Sequence, residues 1–325
     1  MRGGTGNDTY AVGSTSDVVT ENAGEGSDLV ESSITYSVSS LANVEHVVLT
    51  GTSAINATGN TGSNMLRGNS AANTLTGADG IDILQGLAGN DTLSDSAANG
   101  LLDGGSSTDT LTGNAAKQLF IGGRENDNIT TGTGADIVAF NKGDGQDTVN
   151  GSTGTDNILS LGGGITYSDL FLSKSGNNLV LETGGTDTIT LKDWYAASTN
   201  RSVAKLQVIT EPMAGYDPAS SDALLAKKVQ SFDFSALVGA FDAARAANST
   251  LSRWQVMDAL LTAHLAGSDT EAIGGDLAYR YGLSGSLTGI GFDNAAAIMS
   301  ASQFAISGQT LQPLATLQTG THRFA

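Results

Sequence analysis

The stretch TGNTGSNML-RGNSAANTL-TGADGIDIL-QGLAGNDTL, residues 58–93, is four nonapeptides laid end to end. Five more follow without a gap: SDSAANGLL, DGGSSTDTL, TGNAAKQLF, IGGRENDNI and TTGTGADIV, which ends at Val138. An eleven-residue unit, AFNKGDGQDTV, and then NGSTGTDNI carry the pattern to residue 158. The ninth position reads Leu66, Leu75, Leu84, Leu93, Leu102, Leu111, Phe120, Ile129 and Val138, an unbroken apolar column. The seventh reads Asn64, Asn73, Asp82, Asp91, Gly100, Asp109, Gln118, Asp127 and Asp136. Each unit is therefore a glycine-rich turn, a polar or acidic residue, and a short strand with one inward apolar side chain. Self-similarity at a fixed short period is the signature of a solenoid.

The rest of the composition agrees. Among 325 residues there are 43 Gly and only 3 Pro, with 39% hydrophobic residues, which reads as many tight turns between short strands rather than as a disordered tail. The net charge of −18 repels nucleic acid and anionic membrane and favours cations. There are no cysteines, so bound metal is the candidate staple. No apolar run is long enough for a membrane span. The N-terminus lacks the regions of a signal peptide, and a start inside a complete glycine motif reads as a piece of a longer protein.

The units resemble the GGxGxDxUx nonapeptide of RTX proteins, the haemolysin-type calcium-binding repeat family. Gly3, Gly4, Gly6, Asp8 and Tyr10 match it in full, and Val12 to Asn56 looks like a spacer recurring in large bacterial members. The resemblance covers roughly residues 1 to 200 and implies a mainly β fold, a parallel β-roll binding Ca²⁺ in its turns. Ca²⁺ takes about six to eight oxygens, backbone carbonyls included, and glycine lets successive carbonyls aim at one point. In the family's roll two nonapeptides make one coil, so residues eighteen apart stack.

On that geometry one edge carries Asn73, Asp91, Asp109, Asp127 and, after the longer unit, Asp147. The other carries Asn64, Asp82, Gly100, Gln118, Asp136 and Asp156. The expected metal ligands are thus Asp82, Asp91, Asp109, Asp127, Asp136, Asp147 and Asp156, with Asp8. Roughly three to five Ca²⁺ sites are expected, weakest near Gly100 and Gln118. Ser107 and Glu125 stand where the pattern wants glycine. Asp8 has no motif nine or eighteen residues away, Gly24–Asp28 being its nearest candidate, so its site is expected to be the emptiest.

Four segments follow: 1–57, a degenerate repeat and β spacer; 58–158, the calcium-binding roll; 159–199, a β-hairpin cap; and 200–325, a small α-helical module. Met65, Ile83, Leu101, Leu119 and Ile137 form an outward apolar row that needs a cover, and the helical module is the candidate. On the opposite face Thr74, Thr92, Thr110 and Asn128 read as a solvated β surface. Trp194 and Tyr195 supply apolar area to the cap. In the module, Ser235 reads as an N-cap, and helices are expected over Leu251–Ala266 and Asn294–Phe304.

No HExxH or GxSxG occurs, and His46, His264 and His322 are isolated, so no catalytic constellation is found. The charge-poor C-terminus looks like the export signal of type I secretion substrates. The resemblance implies a secreted or cell-surface bacterial module that folds on Ca²⁺ after export, with Ca²⁺ and the type I machinery as partners. The alternatives are a surface adhesin or calcium-stiffened spacer with a partner-binding helical module, and a fragment of a secreted hydrolase.

Overall fold

The computed structural model describes residues 1–154 and 156–325. Its centre is a parallel β-solenoid of about eight turns. One sheet runs through strands Thr9–Val12, Leu29–Ser32, His46–Leu49, Met65–Arg67, Asp82–Ala88, Gly100–Ser106, Gln118–Arg124, Ile137–Asn141 and Asn157–Gly162, all parallel. The facing sheet runs from Tyr36–Ser37 and Ala57–Thr58 through Thr74–Thr76, Thr92–Ser94, Thr110–Thr112 and Asn128–Thr130 to Gln146–Asn150. Stacked coils place Leu66, Leu84, Leu102, Phe120 and Val138 in one register column, and Leu75, Leu93, Leu111 and Ile129 in the other. Every one of these side chains is buried between the sheets. The nonapeptide read from the sequence is thus half a coil, a strand on one sheet and the turn to the next.

The first 57 residues are further coils of the same solenoid. Tyr10, Val30 and Val47 extend the apolar column, and Ala57–Thr58 is itself a strand of the facing sheet, so residue 57 marks no break. The steps between these coils are uneven: twenty, seventeen and nineteen residues.

Beyond the roll each sheet is closed by added strands, which removes the open edge a solenoid would otherwise present. Asp187–Leu191 joins the facing sheet in parallel, and Asn178–Gly184, Phe171–Ser175 and Arg253–Gln255 follow antiparallel. Trp194 is buried edge-on against Phe234, with ring centroids 5.8 Å apart, so it is part of the core. The other sheet continues through Val203–Ile209, Val229–Asp233 and His264–Ser268.

The segment expected to be an α-helical module therefore mixes strands with helices. Its helices are α1 (Phe234–Ala247), α2 (Met257–Ala263), α3 (Gly275–Ser284), α4 (Phe292–Ser300) and α5 (Leu314–Leu317). Asp233, not Ser235, caps α1, its carboxylate accepting the Ala236 N–H at 2.9 Å. The long helix expected over Leu251–Ala266 is divided. Its ends are captured as strands by the two sheet edges, and Leu261 and Leu265 of the apparent apolar stripe are left exposed. Edge pairing here outweighs helical spacing. Ile273, at the end of the strand Glu271–Ile273, and Leu277, Phe292, Ala295, Ile298, Met299 and Phe304 of α3, α4 and the loop after it form one buried cluster with the outward row Met65, Ile83, Leu101, Leu119 and Ile137. The apolar row is covered as its composition requires. Among the described residues no helix is long and apolar enough to cross a membrane.

Candidate metal centre

The turns sit along both edges of the roll, and in four of them the backbone is fixed by two left-handed positions. The third residue of a unit has positive φ at Ala78 (84°), Leu87 (78°), Gly105 (101°) and Gly123 (99°). The fifth does so at Gly80 (96°), Gly89 (108°), Ser107 (84°) and Glu125 (81°). Ser107 and Glu125 thus keep the glycine conformation at a cost of about 1–2 kcal/mol each. The turn shape survives their substitution, so they do not spoil the neighbouring carbonyl geometry.

In most units the second position is glycine for a different reason, which is space. A Cβ at Gly77, Gly86 or Gly104 would stand 2.4 Å from the Oδ2 of Asp82, Asp91 or Asp109 respectively. At Gly122 it would stand 2.3 Å from Asp127 Oδ2. These four aspartates fold back into the hollow left by the glycine five residues before them, whereas Asp136 has Thr131 at that place.

The other carboxylate oxygen stitches neighbouring coils. Asp91 Oδ1 accepts the Asn73 N–H, Asp109 Oδ1 the Asp91 N–H and Asp127 Oδ1 the Asp109 N–H, each at 2.7 Å. Asp147 Oδ1 accepts the Asp127 N–H at 3.0 Å. This is the first edge as the eighteen-residue stacking orders it. On the second edge Asp82 Oδ1 accepts the Asn64 N–H at 2.7 Å and Asp136 Oδ1 the Gln118 N–H at 2.8 Å. The next rung is Asn157, whose Oδ1 accepts the Asp136 N–H at 2.9 Å. Asp156, expected there, is one residue short, because this coil takes 21 residues rather than the 20 read from the sequence, and its side chain is exposed.

Amide and carboxylate rungs then part company. Asn73 Nδ2 donates to Ile55 O at 2.6 Å, Asn64 Nδ2 to Val44 O at 3.1 Å, and Gln118 Nε2 to Ala98 O at 2.9 Å. These rungs satisfy themselves. The Oδ2 atoms of Asp82, Asp91, Asp109, Asp127 and Asp136 are buried without any hydrogen-bond partner. Burial pushes Asp91 up to about 6, Asp127 to about 7, and Asp82, Asp109, Asp136 and Asp147 to about 8, well above the usual carboxylate value of 3.8. A buried, unpartnered carboxylate oxygen in a turn of oriented carbonyls is a hard-cation ligand in need of its cation.

Asp8 differs from expectation. Its N–H donates to Asp28 Oδ1 at 2.8 Å, and the Asp28 N–H donates to Glu45 Oε2 at 2.8 Å, so the ladder continues over the irregular coils. Carboxylate oxygens of Asp8, Glu21 and Asp28 lie within 4.8 Å of one another. Asp8 Oδ2 and both Glu21 oxygens are buried and unpartnered. Asp28, the nearest candidate in the sequence, is thus the stacking neighbour of Asp8, at twenty residues rather than eighteen. Glu21 escaped the sequence reading because it lies outside any glycine motif; only its place seven residues before Asp28 could have flagged it.

The histidines are structural. His264 Nε2 lies 2.7 Å from Gln230 Oε1, and the buried His46 ring packs on His322 at 4.1 Å.

A parallel solenoid whose turns present stacked, half-satisfied carboxylates defines a calcium-binding repeat protein. Residues 58–93, 76–111 and 112–144 match the model of the RTX calcium-binding nonapeptide repeat in 4 copies, so this span carries repeats of that kind. Repeats of this family bind Ca²⁺. No curated protein matches the chain.

Proposed function

We propose that the chain is a non-enzymatic module that folds when Ca²⁺ fills its turns, and that serves folding and export at the C-terminal side of a type I secreted protein. The observation that carries this reading is the row of buried, unpartnered Oδ2 atoms from Asp82 to Asp136. Asp82, Asp91, Asp109, Asp127, Asp136 and Asp147 would hold the ions through the carboxylate, together with turn carbonyls. With Asp8, Glu21 and Asp28 they are the ligand set.

The energetics favour folding outside the cell. At pH 7, each carboxylate whose value rises on folding from 3.8 to about 7 or 8 costs the ion-free roll about 4 kcal/mol, so three of them match the whole net stability of an ordinary domain. In low Ca²⁺ the roll is therefore unfolded and threadable. In millimolar Ca²⁺ binding energy becomes folding energy. Folding of the roll also builds the apolar row on which α3 and α4 pack, so the C-terminal region orders with it. Circular dichroism tests this: Ca²⁺ added to chelated protein at pH 7 should produce the β signal, and identical spectra with Ca²⁺ and with chelator would refute it.

A further inference from the structure

One repeat, SDSAANGLL at residues 94–102, breaks the rule of the others twice. It has Asp95 at the second position, where Gly59, Gly68, Gly77, Gly86, Gly104, Gly113 and Gly122 stand in seven of the other units and Thr131 in the last. At the seventh it has Gly100, where the neighbours carry Asp, Asn or Gln. Read as a motif, its site is lost. The geometry says otherwise. A Cβ at Gly100 would stand 2.3 Å from Asp95 Oδ2, the mirror image of the 2.4 Å between a Cβ at Gly77 and Asp82 Oδ2. In the 95–100 turn the carboxylate thus enters from the side opposite to that of the 77–82 turn, with a glycine facing it in each.

Asp95 is 4% exposed and Asp82 0%. Oδ1 of Asp95 accepts the Ser96 N–H at 2.8 Å, while its Oδ2, like that of Asp82, is buried without a partner. The Ser96 hydroxyl donates to Ala78 O at 2.7 Å, which seats the 95–100 turn directly on the 77–82 turn. The place of the missing Gly100 side chain is also 3.3 Å from Asp82 O. Asp79, on the same lower turn, raises the charging cost of both Asp82 and Asp95. One coil further on, Gln118 Nε2 donates to Asn114 Oδ1 of its own turn and to Ala98 O of the 95–100 turn, each at 2.9 Å, so it needs no ion.

Resting on the calcium reading above, we propose that Asp95 is a Ca²⁺ ligand delivered from the inverted position, completing with Asp82 a site between the 77–82 and 95–100 turns. The second edge of the roll is then interrupted at Gln118 and not at Gly100. The site takes a hard divalent cation, since both inward donors are carboxylate oxygens.

The test uses the full chain and counts bound Ca²⁺ by equilibrium dialysis with metal analysis, with circular dichroism as a check on the fold. Asp95→Asn should bind about one Ca²⁺ fewer per chain than the unaltered protein while keeping the β signal in excess Ca²⁺. The exchange back to the common pattern, Asp95→Gly with Gly100→Asp, should restore the full count. An unchanged count in Asp95→Asn, or a folded exchange variant still short of an ion, would overturn the proposal. Both of those results leave the calcium reading standing, whereas an unaltered chain that takes up no Ca²⁺ overturns both.

Discussion

Asp109→Asn should change the stability of the protein in opposite directions with and without Ca²⁺. Asp109 lies in the middle of the first edge, with Oδ1 bonded to the Asp91 N–H and Oδ2 buried without a partner. Burial, aided by Asp127 and Asp91 in the adjacent coils, raises it from 3.8 to about 8. In the ion-free fold at pH 7 that is about 4 kcal/mol, which the neutral amide does not incur. Asn73 shows the local solution, an amide whose oxygen accepts the Asn69 N–H at 2.8 Å and whose nitrogen donates to Ile55 O at 2.6 Å. With Ca²⁺ bound, the variant instead gives up a charged ligand, a loss of about 3 kcal/mol. The assay is folding followed by circular dichroism at pH 7, driven by trimethylamine oxide in chelator and reversed by urea in Ca²⁺. The variant should fold at lower osmolyte concentration in chelator and unfold at lower urea in Ca²⁺. Stabilisation in both conditions, or destabilisation in both, would refute the reasoning.

Three further outcomes follow from the same geometry. Acidification in chelator should restore β signal: with folded values near 6 to 8 against 3.8 unfolded, the folded roll binds more protons across that window, so its ion-free stability is fully present below about pH 4 and is lost as pH rises to about 8. A far-UV titration checks this, and a β signal that falls on acidification contradicts it. Gly104→Ala should cost about 2 kcal/mol or more in Ca²⁺, because its Cβ would meet Asp109 Oδ2 at 2.4 Å and Gly122 O at 2.7 Å; a urea midpoint equal to that of the unaltered protein would show the hollow to be unimportant. Leu119→Ala should destabilise the cover of the apolar row by about 2–5 kcal/mol, read as faster proteolysis within residues 275–300 while the Ca²⁺ count is unchanged.

The middle of the fold was legible to the residue because a fixed nine-residue period ties the inward apolar column, the turn and the rung together. Leu84, Gly86 and Asp91 each hold the place their position in the unit assigns. The first coils were not legible, because steps of twenty, seventeen and nineteen residues keep the strand register while destroying the period. Asp156 was misplaced for the same cause: a coil longer by one residue hands the rung to Asn157. Glu21 and Asp95 lie outside the motif, and only the three-dimensional hollow reveals what they face. In the C-terminal region, Trp254 and Leu265 sit at helical spacing, yet the unpaired sheet edges beside them draw both into strands. Local pattern cannot report an edge supplied by residues 32 to 84 positions away.

The central claim is that Ca²⁺ in the turns folds the roll and, through it, the C-terminal cover. Amide hydrogen exchange at pH 7, in Ca²⁺ and in chelator, addresses it most directly. The amides of Asn73, Asp91, Asp109 and Asp127, which donate to the next coil's carboxylates, should be protected in Ca²⁺ and exchange freely in chelator, and those of α3 and α4 should follow them. Equal protection of these amides in the two conditions would contradict the account.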